Sequence, residues 1–153
     1  MRVIIATDGS EFSEAAIRKS CELVIDPART SIRIMAAYED SVQLATEPFA
    51  VSPEICQHMA DAARKQAQEY AQEAVHTLRN CMRGCDLDIS TVVIKGPPER
   101  ELIEEAIEWQ ADLIVVGSHG KGFWGRLTLG SVTDAVVHHA PCSVLVVRPP
   151  VKG

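Results

Sequence analysis

The sequence predicts an α/β domain in which helices cover both faces of a parallel sheet. Strand-like and helix-like segments alternate along the chain, which favours right-handed βαβ units. The first, fourth and fifth strand-like segments are almost continuously apolar, as expected of strands buried on both faces. With 153 residues, 46% of them hydrophobic, the chain has the length of one domain and is too short for two substantial ones.

Apolar runs bounded by turn residues define the predicted strands. They cover residues 3–6, 31–38, 87–94, 112–117 and 142–147. Apolar residues at helical spacing predict helices within residues 10–25, 54–80 and 127–140, and a further helix that opens at Pro97 and Pro98. The polar connection 39–53 is long for a compact domain, and either a functional role or disorder would explain it.

Two of these helices have a clear apolar stripe. In the long helix the stripe is predicted to consist of Ile55, Met59, Ala63, Ala67, Tyr70, Ala74 and Leu78. In the helix after Pro98 it is predicted to consist of Leu102, Ile103, Ala106 and Ile107. Both stripes are expected to face the sheet, with the charged positions in solvent.

Composition excludes several classes of partner. The formal net charge of -6 disfavours binding to nucleic acid or to anionic membranes.

The apolar run at the N-terminus is too short for a signal peptide or a membrane span. The five cysteines are odd in number and scattered, which fits a reducing compartment, so a cytoplasmic protein is expected.

Cys81 and Cys85 form the closest cysteine pair, with His76 nearby. A metal site here is conceivable, but a fourth ligand at matching spacing is absent from the sequence. Ordinary thiols near a helix end are the alternative.

The segment "GKGFWG" matches the GxGxxG dinucleotide fingerprint at Gly120, Gly122 and Gly125. That fingerprint requires a position directly after the first strand and an acidic residue about twenty positions later. Here the segment follows the fourth strand, and no acidic residue occurs after Asp134. The P-loop pattern also fails, because Lys121 is followed by glycine instead of serine or threonine.

A wider glycine pattern is more informative: Gly117, Gly120 and, after nine further residues, Gly130 and Ser131. Gly117 ends the fourth strand, where the lack of a side chain lets a ligand approach the backbone. Gly130 and Ser131 open the last helix, whose first amides and positive dipole end favour phosphate.

This spacing resembles the ATP-binding signature of the universal stress protein family. The resemblance extends along the chain, through "VIIATDGSEFSEAA", "KGPPERELIEEAIEWQADLIVVGSHG" and "LGSVTDAVVHHAPCSVLVV". It implies a single domain over residues 1–148 with a tail at 149–153. It also implies an open five-stranded parallel sheet of order 3-2-1-4-5, similar to adenine nucleotide alpha hydrolases, with ATP at the carboxyl ends of strands one and four. The sequence "PCSVLVV" departs from the family's commoner "CPVLVV".

Carried over by position, the resemblance implies three groups of nucleotide contacts. Adenosine would be bordered by Ala6, Thr7, Asp8 and Ala37. The ribose and phosphates would be lined by Val116, Gly117, His119 and Gly120. The phosphate chain would be held by Gly130, Ser131, Val132 and Thr133, with Mg²⁺ or Mn²⁺, when bound, held mainly by phosphate oxygens.

Two of these contacts, Asp8 and Ser131, also have a purely structural explanation, which for Ser131 is a position in the first turn of the last helix. Asp8 has capping-box spacing to Glu11 and could cap the first helix instead of contacting a ligand. His119 lies between two glycines in a loop expected to be exposed, which makes a phosphate contact plausible. Phe123 and Trp124 could either cover a ligand or anchor the loop.

The leading hypothesis is an ATP-binding stress or signalling module with at most slow hydrolysis. The candidate catalytic groups are only Asp8, His119, Lys121 and Arg126, which do not make an efficient phosphoryl-transfer site. The alternative is a dimeric interaction protein whose glycine loop binds another small ligand, such as a cyclic nucleotide, or none. The resemblance implies a homodimer through the last strand, here 143–147.

Overall fold

A computed structural model describes residues 1–24, 26–39, 52–121 and 129–150. These ranges form a five-stranded sheet of order β3-β2-β1-β4-β5, in which every neighbouring pair is parallel. The strands are β1 (Arg2–Ala6), β2 (Ser31–Tyr38), β3 (Asp88–Lys95), β4 (Leu113–Gly117) and β5 (Ser143–Val147). The helices are α1 (Glu11–Leu23), α2 (Pro53–Cys81), α3 (Pro98–Glu108) and α4 (Ser131–His139). The predicted fold class and strand order are confirmed.

Each face of the sheet has its own apolar core. On one face, Ile5 packs in a cluster with Ala16 of α1 and Leu78 of α2. On the other face, Ile4 packs in a cluster with Leu102 of α3. The neighbours Ile4 and Ile5 enter different clusters because successive side chains of a strand point to opposite faces. Full burial of such a side chain contributes about 2 kcal/mol to folding.

The strand order reverses at β1, which pairs with β2 on one side and with β4 on the other. The connections leaving β1 and β4 therefore run to opposite sides of the sheet. In open α/β sheets this arrangement leaves a crevice outside the carboxyl ends of the two strands. The sequence segments 6–8 and 117–120 meet at this crevice.

The apolar stripe predicted for α2 is correct only in its second half. Ala67, Ala74 and Leu78 are buried, but Ile55 and Met59 are 52% and 41% exposed. A helix of 29 residues is about 44 Å long, whereas an eight-residue strand spans about 26 Å. The beginning of α2 therefore extends past the strands it packs on.

The stripe predicted for α3 is wrong at its last position. Leu102 and Ala106 are buried, whereas Ile107 is exposed. Ile107 follows Ala106 directly, and one residue turns a helix by about 100°.

Within the described ranges, no helix is both long and apolar enough to cross a membrane.

A charged pair fixes α3 to the sheet. Arg33 of β2 donates from its guanidinium to the carboxylate of Glu105, and its Nε donates to Ser90 Oγ on β3 at 3.2 Å. The Arg33 guanidinium also lies 4.3 Å from the centre of the Trp109 ring. Glu105 is only 8% exposed, so its charge depends on Arg33 for compensation.

We expect the substitution Glu105→Ala to lower the free energy of unfolding by about 2 kcal/mol, because it leaves Arg33 without its anionic partner. Urea denaturation followed by circular dichroism measures the change. The matched control is Glu104→Ala, which removes a solvent-exposed pair with Arg100 and should leave the urea midpoint unchanged. Equal losses in the two variants would contradict an anchoring role for Glu105.

Candidate functional site

A cavity of about 420 Å³ opens at the carboxyl ends of β1 and β4. This volume lies within the range of sites for small molecules and cofactors. All residues predicted from the sequence as nucleotide contacts line it: Ala6, Thr7, Asp8, Ala37, Val116, Gly117, His119, Gly120, Gly130, Ser131, Val132 and Thr133. The structure thus brings together segments that are more than one hundred residues apart in the chain.

The cavity has further lining residues that were not among the predicted nucleotide contacts, although Lys121 had been identified from the sequence as a candidate catalytic group. They are Ser13, Met35, Pro98, Leu102 and Lys121. Strand periodicity could have identified Met35, which is two positions before Ala37 and therefore on the same face of β2. Helical periodicity could likewise have linked Pro98 to Leu102, which follows it by four residues on α3.

One end of the cavity is apolar. Its lining includes Met35 and Ala37 from β2, Leu102 from α3 and Val116 from β4. Met35, Leu102 and Val116 belong to the apolar cluster on this face of the sheet, so the core extends to the cavity wall. Such a surface suits a flat aromatic or aliphatic group.

The other end is formed by the N-terminus of α4. Gly130 is the N-cap residue, and its amide donates to the Ser118 carbonyl at 2.9 Å. The amides of Ser131, Val132 and Thr133 belong to the first helical turn, where intrahelical acceptors are lacking. Because the dipole of α4 adds positive potential, this end is suited to an anion.

Thr133 also has a structural role that was not predicted. Its Oγ1 donates to the Gly117 carbonyl at 2.7 Å, and both residues are buried. This bond holds the first turn of α4 against the end of β4. The two segments that carry the predicted phosphate contacts are thereby held at a fixed distance.

Asp8 is not the cap of α1, contrary to one interpretation of the sequence. The N-cap is Ser10, whose Oγ accepts from the Ser13 amide at 3.2 Å. Asp8 Oδ1 accepts from the amide of Ser10 at 3.0 Å, and its Oδ2 accepts from the amide of Lys121 at 2.9 Å. Asp8 therefore joins the β1–α1 turn to the loop after β4.

His119 is buried, and the expectation of an exposed loop position is wrong. Its side chain packs 5.1 Å from the Phe12 ring, centre to centre, and the residue is 8% exposed. Its Nδ1 lies 3.0 Å from Ser118 Oγ. Packing against α1 thus fixes the imidazole at the cavity wall.

Lys121 is held by an aromatic side chain of α2. Its ammonium contacts the Tyr70 hydroxyl and lies 3.7 Å from the centre of the Tyr70 ring. Gly9 faces the same ring and has a φ of +72°, and a Cβ there would be 2.4 Å from Tyr70. Side chains beyond Lys121 that the sequence singled out, Phe123, Trp124 and Arg126, lie outside the described residues.

Gly117 is also required for a packing reason that was not predicted. A Cβ at this position would lie 2.6 Å from the backbone carbon of Phe12, on the α1 side of β4. The missing side chain therefore lets α1 approach the end of β4. Ligand access alone does not explain this glycine.

The metal site considered at Cys81 and Cys85 is not assembled. In the part of the chain that the structure describes, no group of three or more histidine, cysteine or acidic side chains is placed to hold a metal ion. Both cysteines are exposed thiols near the C-terminus of α2.

We expect Gly117→Ala to lower the free energy of unfolding by about 2 kcal/mol, since the added methyl group meets the α1 backbone. Gly120→Ala is the matched control, because among the described residues its methyl group would meet the Asp8 carboxylate, at 3.0 Å, and no backbone atom. Gly120→Ala should lower the free energy of unfolding clearly less than Gly117→Ala does. Thermal unfolding of both variants makes the comparison, and equal stability of Gly117→Ala and wild type would rule out the proposed steric constraint.

Known universal stress proteins are similar to this chain in sequence. A Thermus aquaticus universal stress protein is 33% identical over 148 residues, covering 95% of this chain and 97% of the relative. A Methanocaldococcus jannaschii universal stress protein is 30% identical over 151 residues, covering 99% of this chain and 84% of the relative.

Solved structures of similar proteins have the same fold. UspA from Lactobacillus plantarum has a TM-score of 0.76 at 22% identity, with 97% of each chain covered. An Arabidopsis thaliana family protein with AMP bound has a TM-score of 0.69 at 16% identity, covering 99% of this chain and 94% of the other. A universal stress protein in complex with cAMP has a TM-score of 0.56 at 26% identity, covering 97% and 96%. The model of the universal stress protein family matches residues 1–148, and the chain belongs to this family.

Proposed function

We propose that this protein is an ATP-binding stress or signalling module. The observation that carries the proposal is the division of the cavity into an apolar end and an end formed by the first turn of α4. A nucleotide has the same division, with an aromatic base and a charged phosphate chain. The AMP-bound and cAMP-bound relatives support an adenine nucleotide as the ligand class.

In the proposed complex, adenine occupies the space between Met35, Ala37 and Leu102. The phosphate chain lies against Gly120 and the amides of Ser131 and Val132. Because a triphosphate carries more negative charge than a monophosphate, the helix dipole favours ATP over AMP at this end. Mg²⁺ or Mn²⁺ would be held mainly by phosphate oxygens, with the Asp8 carboxylate on the cavity wall.

The same geometry favours binding over rapid hydrolysis. Asp8 already accepts hydrogen bonds from Ser10 and Lys121, and the Lys121 ammonium is engaged with Tyr70. His119 is packed against Phe12. A fast phosphoryl-transfer site needs a positioned base and a cation at the transferred group. We propose at most slow ATP hydrolysis.

We expect Ser131→Glu to weaken ATP binding at least about tenfold, which corresponds to about 1.4 kcal/mol. The exposed position at the start of α4 tolerates glutamate, and its carboxylate interacts favourably with the helix dipole. The same carboxylate repels phosphate. Isothermal titration calorimetry with ATP and Mg²⁺ measures both proteins, and the variant should remain as stable as wild type.

The control for this titration is Ser131→Ala, which removes the hydroxyl without adding charge and should retain most of the affinity. Adenosine is the second control, since its binding should not respond to the glutamate. No heat with submillimolar ATP and wild-type protein would contradict the proposed function.

A cyclic nucleotide is the second candidate ligand, favoured by the cAMP-bound relative. Competition between ATP and cAMP distinguishes the two. Tighter binding of cAMP than of ATP would assign the site to the cyclic nucleotide.

We further propose a cytoplasmic homodimer formed through β5. Within the described chain β5 is an edge strand, and its residues are mostly apolar. An exposed apolar edge needs cover to avoid uncontrolled association. The Val147 carbonyl accepts from Ser118 on the β4 side at 2.8 Å. Because successive residues of a strand direct their backbone groups to opposite sides, the Val146 amide faces the free edge.

We expect Val146→Pro to shift the protein from dimer to monomer, because proline removes an amide donor from the free edge. Sedimentation velocity at several concentrations measures the shift. In the control Leu145→Pro, the lost amide faces β4, so this variant should be destabilised instead. A wild-type protein that sediments as a monomer at all concentrations would contradict pairing through β5.

A further inference from the structure

Lys121 brings a full positive charge to the cavity at the carboxyl ends of β1 and β4. Among the lining residues that the structure describes, it is the only lysine or arginine. It directly follows Gly120, a proposed phosphate contact, whereas Asp8 adds a negative charge to the same lining. A phosphate chain bound in this cavity therefore has the Lys121 ammonium as its candidate for an ion pair.

The ammonium of Lys121 is nevertheless held by α2. It contacts the Tyr70 hydroxyl and lies 3.7 Å from the centre of the Tyr70 ring. Within the described chain, Tyr70 lines a second cavity, of about 490 Å³, together with Glu14 of α1 and His76 of α2. Lys121 thus lines one cavity while its charge is bound to a residue that lines the other.

A change of partner requires movement of the Lys121 side chain alone. The backbone is fixed by the Lys121 amide, which donates to Asp8 Oδ2 at 2.9 Å. The residue is exposed, and the ammonium is carried on a flexible four-carbon stem with three donors. Exposed side chains change rotamer within nanoseconds. The ammonium can therefore turn from Tyr70 to a ligand without a change in the fold.

The two partners of the ammonium differ in strength. Tyr70 offers a neutral hydroxyl and a ring face, which are weak partners for a cation at an exposed position. A phosphate oxygen carries negative charge, and charge-assisted hydrogen bonds are roughly twice as strong as neutral ones. Because a triphosphate is longer and more negative than a monophosphate, ATP favours the exchange more than AMP does.

We propose that Lys121 leaves Tyr70 and binds the terminal phosphate when ATP enters the cavity, an inference that rests on the proposed nucleotide function. Lys121 is then the residue that distinguishes ATP from AMP, and Tyr70 competes with the phosphate for its ammonium. The competition lowers the apparent affinity for ATP, because only the protein with a released ammonium makes the full set of contacts.

The exchange gives the module a change that depends on the number of phosphates. In the ATP complex the Tyr70 hydroxyl loses its cation, so the cavity between α1 and α2 differs from that in the AMP complex. The exchange brings a cation to the phosphates but supplies no base, which agrees with slow hydrolysis.

A double-mutant cycle tests the competition. Isothermal titration calorimetry with ATP or AMP, in the presence of Mg²⁺, compares wild type, Tyr70→Phe, Lys121→Met and the double variant. Tyr70→Phe keeps the ring that packs against Gly9 and removes the hydroxyl, so ATP should bind about threefold more tightly. Lys121→Met should weaken ATP binding about tenfold.

The double variant should bind ATP like Lys121→Met, because the effect of Tyr70 requires the ammonium. AMP should bind to all four proteins with similar affinity. The control for net charge is Lys65→Met, which removes an exposed lysine of α2 that lies 4.0 Å from Glu69 and should leave ATP affinity unchanged. Circular dichroism of each variant during thermal unfolding verifies that it is folded.

The Tyr70 side chain gives a direct readout of the exchange. The chain has two tyrosines, so the signals of ¹³C-labelled tyrosine rings are assigned by comparing wild type with Tyr70→Phe. We expect ATP to shift the Tyr70 signal in wild type but not in Lys121→Met, and AMP to leave it in place.

The outcomes separate this inference from the proposed function. Wild-type protein that binds ATP with an unchanged Tyr70 signal would overturn the exchange alone. The same holds for a Tyr70→Phe variant that binds ATP no more tightly than wild type, or that gains equally in the Lys121→Met background. Wild-type protein that binds no ATP would refute the proposed function and the exchange with it.

Discussion

The close approach of three backbone segments at the end of β4 is the constraint on which the site depends. Gly117 lies against the α1 backbone at Phe12, and its carbonyl accepts from Thr133 of α4. The Gly130 amide donates to the carbonyl of Ser118, the residue that follows Gly117. Because these contacts are made by backbone atoms and one buried hydroxyl, the positions of β4, α1 and α4 are coupled. The end of the cavity that is proposed to hold phosphate is therefore built from segments whose relative positions the fold determines.

The apolar end of the cavity depends on the attachment of α3 to the sheet. Arg33 and Glu105 hold α3 so that Leu102 reaches the cavity beside Met35. A charged pair, Arg33 and Glu105, thus helps to position the apolar end of the cavity, and the packing of Gly117 against α1 helps to position the polar end. A preformed cavity costs less ordering free energy on binding than a site assembled from loops. Among the described residues, the Asp8 carboxylate and the Lys121 ammonium at the site are already engaged by other protein groups, which supports the proposed binding module.

Most of the fold could be predicted from the sequence, because apolar periodicity is a local signal, and the positions implied by the family resemblance all line the cavity. Met35 and Leu102, which also line it, were not among those positions. The reasons for individual residues were harder to predict. Gly117 was explained by ligand access, yet its contact with Phe12 depends on the tertiary packing of α1. The burial of His119 and the bond that Asp8 makes to Lys121 were not predicted for the same reason, since both contacts join segments distant in sequence. The exposure of Ile55 follows from the length of α2 relative to the sheet, which periodicity does not encode.

The central claim is that the first turn of α4 holds the phosphates of an adenine nucleotide. Amide ¹H–¹⁵N correlation spectra of the labelled protein, recorded during titration with ATP and then with adenosine, test it most directly. We expect ATP to shift the amide signals of Ser131, Val132 and Thr133 strongly, and adenosine to shift mainly the signals near Ala37. ATP-induced shifts confined to other parts of the chain, with the α4 amides unchanged, would contradict it.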